Sequence, residues 1–179
     1  MATRLLLLLR HAKAAQSAAD GKDHSRPLED RGRVAAAAMG QWLAGHPKIA
    51  PELVLCSTAE RTRETLGIVA EQGVAAPARF ERELYLAEPA AILDCVGRVA
   101  PAVQRIMVVG HNPGIHELAR ALVGMIGARP AARLAFDRMR DKFPTGALAV
   151  IAFPHIARWG DVVSGKGRFE SFTRPKDLA

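Results

Sequence analysis

Arg4-Leu5-Leu6-Leu7-Leu8-Leu9-Arg10-His11 places five consecutive leucines between charged residues near the start of the chain. An uninterrupted apolar run of this kind suits a strand covered on both faces. A strand with one wet face would alternate apolar with polar side chains. The run superficially imitates a secretory leader, with Arg4 as its basic flank. Five apolar residues fall short of the roughly 7–15 of a leader's apolar region, and Arg10, His11 and Lys13 end the run. No stretch approaches the ~20 apolar residues of a membrane span.

Outward from this strand, similar apolar runs recur at Leu53–Cys56, Ile106–Val109 and Leu148–Phe153. Helical spacing fills the intervals. Val34, Ala38 and Trp42 recur every four residues, with Met39 and Leu43 beside them; Thr62, Leu66 and Val69 share a face, as do Ile92, Val96 and Val99. The strongest helix follows Asn112, where Ile115, Leu118, Ala119, Leu122 and Val123 form a full apolar stripe. Asn112 is the expected N-cap, Pro113 the first helical residue and Gly124 the terminator. Gly167–Phe172 alternates like an edge strand. Strands alternating with helices imply an α/β fold, a three-layer sandwich with a mostly parallel central sheet flanked by helices. No repeat or linker divides the sequence, so residues 1–179 read as a single domain.

Hydrophobic residues are 49% and charged residues 24% of the chain, which excludes a disordered or low-complexity protein. Lys and Arg number 25 against 18 Asp and Glu, a formal charge of +7 that favours anionic partners. Aromatics at 5% leave little for base stacking, so no nucleic-acid partner is expected, and no membrane partner either. The densest basic stretch, Arg129–Lys142, also carries Asp137 and Asp141 and reads as a solvated helix face. Two cysteines, Cys56 and Cys95, make no disulfide framework; they read as reduced core residues of a cytoplasmic protein.

In open α/β sheets ligands bind beyond the carboxyl ends of strands. Arg10-His11-Ala12-Lys13 follows the first strand, Ser57 to Thr65 the second, and Gly110-His111-Asn112-Pro113-Gly114 the third; Phe143-Pro144-Thr145-Gly146-Ala147 precedes the fourth. Ala12–Glu29 has no helical periodicity and reads as a loop leaving the first strand. Arg10, His11, Arg61 and His111 thus converge where the sheet delivers a ligand. Two histidines and two arginines suit a phosphoryl dianion, because arginine forks clamp phosphate oxygens and histidine can act as a nucleophile. Arginines 10 and 61 should depress the His11 pKa and keep its imidazole neutral. His24, His46, His116 and His155 read as ordinary surface or core residues. His111 and His116 lie five apart and miss the spacing of a helical metal pair, so no metal and no cofactor are expected.

Leu9-Arg10-His11-Ala12 resembles the arginine–histidine signature of the histidine phosphatase superfamily, with Ala12 where Gly is commonest. Ser57-x-x-x-Arg61-x-x-x-Thr65 is similar to that family's second motif, and Gly110-His111-Asn112 to its second-histidine motif. Within the superfamily the chain most resembles SixA-type phosphohistidine phosphatases. Arg26-Pro27-Leu28-x-x-x-Gly32, Glu83-Leu84-Tyr85-Leu86-Ala87, Phe143–Ala147 and Arg174-Pro175-Lys176-Asp177-Leu178 fit that branch. Glu29 departs from the Ser or Thr usual after Pro-Leu, and Lys13 adds a cation. The resemblance implies a phosphoglycerate-mutase-like fold and a metal-independent phosphatase. His11 would form a phosphohistidine intermediate that water hydrolyses, with Arg10, Arg61 and His111 holding phosphoryl oxygens. Lys13 and Asn112 are further candidates for binding, and Glu83 for protonating a leaving group. The expected partner is a phosphohistidine protein or a small phosphate ester. The alternatives are a small-molecule phosphomonoesterase of the same superfamily or a non-catalytic phosphate-binding module. A nucleotide-binding reading of Gly160–Gly167 fails, because Gly167 stands where Ser or Thr would ligate Mg²⁺ and a strand-like segment follows instead of a helix.

Overall fold

The computed structural model describes residues 3–128 and 132–178. The leucine run lies in β1 (Arg4–Arg10), at the centre of a seven-stranded sheet. On one side β1 pairs in parallel with β4 (Arg105–Gly110), followed by β2 (Leu53–Ser57) and β3 (Ala78–Glu81). On the other side it pairs antiparallel with β6 (Leu148–Phe153), followed by β7 (Gly167–Thr173) and β5 (Val123–Ala128). The order is β3-β2-β4-β1-β6-β7-β5, and only β6 runs against the other strands.

Leu6, Leu7, Leu8 and Leu9 are all fully buried, each on the face its parity dictates. Leu7 and Leu9 join Met39 and Leu43 of α1 (Asp30–Ala44) and Leu66 and Val69 of α2 (Glu60–Glu71). Leu6 and Leu8 face the opposite cluster. It contains Ile92 and Val96 of α3 (Pro89–Gly97), Ile115 and Leu118 of α4 (Gly114–Leu122), and Phe136 and Met139 of α5 (Arg133–Asp141). The result is the expected three-layer sandwich. Burying one leucine stabilises by roughly 1.5–3 kcal/mol, so the central strand fastens both outer layers to the sheet. Among the described residues no helix is long and apolar enough to cross a membrane. Cys56 and Cys95 are buried free thiols.

Several local expectations are corrected. β7 is not an edge, because β5 pairs along it; Gly124, expected to terminate a helix, lies in β5. β3 escaped notice because Ala78–Glu81 is exposed and has no apolar run. In α1 the buried stripe is Gly32, Ala36, Met39, Gly40 and Leu43, while Val34 is 72% exposed. Small residues mark that face, and a reading based on large apolar residues misses them. α4 begins at Gly114 with no side-chain cap; the Ile115 amide instead donates to the His111 carbonyl at 2.9 Å. The Arg129–Lys142 stretch does present the expected solvated helix face, with its charged residues from Arg133 to Lys142 exposed and Phe136 and Met139 buried on the other side; residues 129–131 lie outside the described residues. Gly160–Gly167 forms a short 3-10 turn and then enters β7, with no helix at the place a phosphate loop would need one.

Candidate active site

Three parallel strands end side by side and deliver the expected residues together. Arg10 closes β1 and His11 follows it. The sheet still grips this corner: the Arg10 amide donates to the Ala147 carbonyl and the His11 amide to the Gly110 carbonyl, both at 3.0 Å. Arg61 stands in the first turn of α2, after β2, and His111 directly after β4. The resulting pocket encloses about 250 Å³ and is lined by Arg10, His11, Arg61, His111, Lys13 and Asn112, together with Asp23, Arg26 and Thr145.

The loop after His11 is anchored on α2 and α1. The Ala12 amide donates to Thr65 Oγ1 at 3.0 Å, and Thr65 Oγ1 donates in turn to the Arg61 carbonyl at 2.6 Å. The Lys13 carbonyl accepts from the Glu29 amide at 2.9 Å and lies so close to Gly32 that a Cβ there would collide with it. The Gly146 amide, in a turn with φ +75°, donates to the Arg10 and His11 carbonyls at 3.1 and 3.0 Å. Residues far apart in sequence therefore fix the backbone of one histidine.

His11 Nδ1 sits 2.7 Å from the Ala12 carbonyl. A carbonyl only accepts, so Nδ1 carries the proton and Nε2 keeps its lone pair. Burial, reinforced by Arg61, Arg10 and Arg26, pushes the His11 pKa down to about 4, so the ring is neutral at pH 7. His111 lies with its ring centroid 5.2 Å from that of His11, and its Nε2 is 2.8 Å from Ser57 Oγ. Burial, with His11 and Arg61, lowers its pKa to about 3. Its Nδ1 is buried and has no protein partner. When the Ser57 hydroxyl donates to Nε2, Nδ1 carries the proton and can donate it to an anion bound in the pocket.

The arginines are held from behind. Arg10 Nη1 donates to the Phe143 carbonyl at 2.9 Å, and Asn112 Nδ2 donates to the same oxygen at 3.0 Å. Asn112 thus braces Arg10's partner instead of capping α4. Arg61, 1% exposed, donates Nη1 to the Asp23 carbonyl at 2.7 Å and Nη2 to Asp23 Oδ2 at 3.0 Å. Tyr85 Oη donates to the same Oδ2 at 2.6 Å, and Arg26 Nη2 pairs with Oδ1 at 2.7 Å. The Tyr85 hydroxyl, and Arg61 and Arg26 after it, hold the Asp23 pKa down at about 2. The buried Nε groups of Arg10 and Arg61 have no protein partner. With His111 Nδ1 they form a set of donors suited to phosphoryl oxygens.

Glu83 does not join this group. Its carboxylate is 60% exposed and faces Arg98 Nη2 at 3.5 Å, and it does not line the pocket. Asp23 was missed because a lone aspartate in a charged loop gives no sequence signal. Arg26, Tyr85 and Thr145 lay inside stretches that fit the SixA pattern but had no role to mark them. No metal-holding group of three or more His, Cys, Asp or Glu side chains occurs among the described residues.

A family model for the histidine phosphatase superfamily (branch 1) matches residues 6–85, which include His11 and Arg61. An uncharacterized protein of Mycobacterium tuberculosis strain H37Rv is 39% identical over 170 residues, 94% of this chain and all of that protein. The chain belongs to the histidine phosphatase superfamily. It is also similar to the SixA protein of Nakamurella multipartitia, at 37% identity and a TM-score of 0.82, over 98% of each chain. The SixA protein of Agrobacterium tumefaciens follows at 28% identity and a TM-score of 0.76, over 95% of this chain and 97% of that one. As a member of this superfamily, the chain is a histidine-nucleophile phosphatase.

Proposed function

We propose that the protein hydrolyses phosphohistidine carried on a protein, with His11 as nucleophile. His11 Nε2 attacks phosphorus in line while the substrate's P–N bond breaks. Arg10, Arg61 and His111 hold the equatorial oxygens, and each such preorganised donor is typically worth about 10²–10³ in rate. Water then attacks phospho-His11, releasing phosphate and restoring the neutral ring. Positioning and arginine charge supply what this chemistry needs.

The observation that carries the choice of substrate is the state of the pocket's one carboxylate among the described residues. Asp23 is held ionised by its hydroxyl and arginine partners, with a pKa near 2, and has no proton to give at neutral pH. An alkyl ester leaves as a strongly basic alkoxide and needs such a proton. Phosphohistidine leaves as imidazole, a weak base that ordinarily titrates near ~6.5, and departs neutral when its other ring nitrogen is protonated. Missing acid catalysis typically costs about 10²–10⁴-fold where it is required. The test compares a phosphohistidine protein, an aryl phosphate and an alkyl phosphate side by side. Phosphohistidine should be hydrolysed fastest and the alkyl ester at least about 100-fold more slowly. An alkyl ester turned over as fast as phosphohistidine would overturn this reading.

A further inference from the structure

Beside the phosphate pocket lies a second, open groove of about 270 Å³. It shares Lys13 and Thr145 with the pocket and continues over Arg31, Pro144, Arg174 and Lys176. Its four cations come from three places: the loop after β1, the first turn of α1 and the C-terminal segment after β7. Glu29 pairs with Arg31 and Asp177 with Arg174, each at 2.6 Å. Among the described residues no carboxylate pairs with Lys13 or Lys176, so the groove keeps a positive surplus. The groove is also fixed relative to the nucleophile. Pro175 packs against Gly146, where a Cβ would stand 2.8 Å from the proline ring, and the Gly146 amide holds the Arg10 and His11 carbonyls.

We infer that this groove docks an acidic surface flanking the phosphohistidine of the substrate protein. The inference rests on the phosphohistidine reading above and adds to it what the substrate presents around the reacting group. A phosphoryl group seated against His11 brings its carrier to the pocket mouth, and the mouth opens onto Lys13 and Thr145. Carboxylates beside the phosphorylated histidine would then meet Lys13, Arg31 and Lys176. A nucleic-acid backbone fits less well, because the groove contains no aromatic ring on which a base could stack. Complementary charge at an exposed rim acts mainly on encounter and on KM, and it weakens with salt.

The test uses three substrates: a phosphorylated acidic histidine-phosphotransfer domain, the same domain with the carboxylates flanking its phosphohistidine changed to amides, and free phosphohistidine. Arg31 and Lys176 are exposed and lie outside the catalytic pocket. In the double variant Arg31→Gln, Lys176→Glu, KM for the acidic domain should rise about tenfold. The values of kcat/KM for the amide-bearing domain and for free phosphohistidine should stay within about twofold. The wild type should prefer the acidic domain and lose that preference as salt rises, while the variant should show little salt dependence. Equal KM values for the two domains in the wild type would overturn the inference, as would equal losses by the variant on all three substrates. Inhibition by RNA that the variant abolishes, with no preference between the domains, would reassign the groove to nucleic acid. A wild type that ignores all three substrates but cleaves alkyl esters would refute the phosphohistidine reading itself, a separate outcome.

Discussion

Asp23 holds Arg61 by two groups at once, accepting from Nη1 at 2.7 Å through its carbonyl and from Nη2 at 3.0 Å through its carboxylate. The aspartate side chain is 47% exposed and the arginine 1%. A surface loop therefore sets the direction of a buried arginine that lines the pocket. Asp23 is a positioning residue and also an anion beside an anion site, and the two roles should separate in kinetics. Asp23→Ala should lower kcat by about 10–100-fold through loss of orientation. Asp23→Asn retains an acceptor for Nη2 and should keep kcat within about threefold while vanadate binds more tightly. Parallel losses of kcat by both variants, with unchanged vanadate affinity, would argue for a merely structural loop.

His11, held near pKa 4, and His111, near 3, titrate lower in the folded chain than the ~6.5 expected when unfolded. Between those values the unfolded chain binds more protons, so folding stability should fall as pH drops from 6.5 toward 4. Their contribution is complete above pH 6.5. The acid limb of kcat on phosphohistidine should accordingly lie below pH 5. Urea midpoints from pH 4.5 to 7.5 and a pH–rate profile check both statements. A rate inflection at 6.5 would contradict the neutral, buried nucleophile.

Glu83→Gln should leave phosphohistidine turnover within about twofold, because the carboxylate faces Arg98 and not the pocket. Loss of a pair this exposed should change stability by no more than about 0.5 kcal/mol. A tenfold fall in kcat on any substrate would restore Glu83 to the chemistry.

Most of the sheet was legible because four of its strands are continuous apolar runs, where burial on both faces leaves little other residue choice, and β7 alternates over its first four residues. The remaining two lacked that signature. Ala78–Glu81 is an exposed edge strand, and Val123–Ala128 carries two glycines. In the site, Arg10, His11, Arg61 and His111 could be placed because each ends a strand, directly follows one or stands in the first turn of the helix after it. Asp23 and Arg26 sit in an aperiodic loop whose path is set by tertiary bonds, such as Ala15 to Pro27 and Leu28 to Glu64. Sequence spacing carries no record of those bonds. Glu83 looked well placed because its neighbours Tyr85 and Leu86 do reach the pocket region, but its own side chain turns outward.

Gly32→Ala tests the link between α1 and the nucleophile. An exposed helix-interior Gly→Ala change usually stabilises by up to ~1 kcal/mol. Here the new methyl would meet the Lys13 carbonyl, so a loss of roughly 1–3 kcal/mol is expected, together with a fall in kcat as the loop behind His11 shifts. Thermal melting and steady-state kinetics measure both effects. A stabilised, fully active variant would contradict the close approach.

Because arginines supply the charge in the pocket, activity should persist in EDTA, and vanadate should inhibit in competition with substrate. Loss in EDTA that Mg²⁺ or Zn²⁺ restores would require a metal in the reaction.

On the ribosome, β1 is made first and paired late. Its parallel neighbour β4 begins at Arg105 and its antiparallel neighbour β6 at Leu148. At about 5–20 residues per second, the chain between Leu9 and Arg105 takes roughly 5–20 s to synthesise. Throughout that interval five leucines remain without either strand that will flank them. The central strand of the folded enzyme is thus an adhesive stretch of its nascent chain until β4 emerges. Chains stalled near residue 100 should crosslink to a holdase chaperone through Leu5–Leu9, and chains extended past β6 should not.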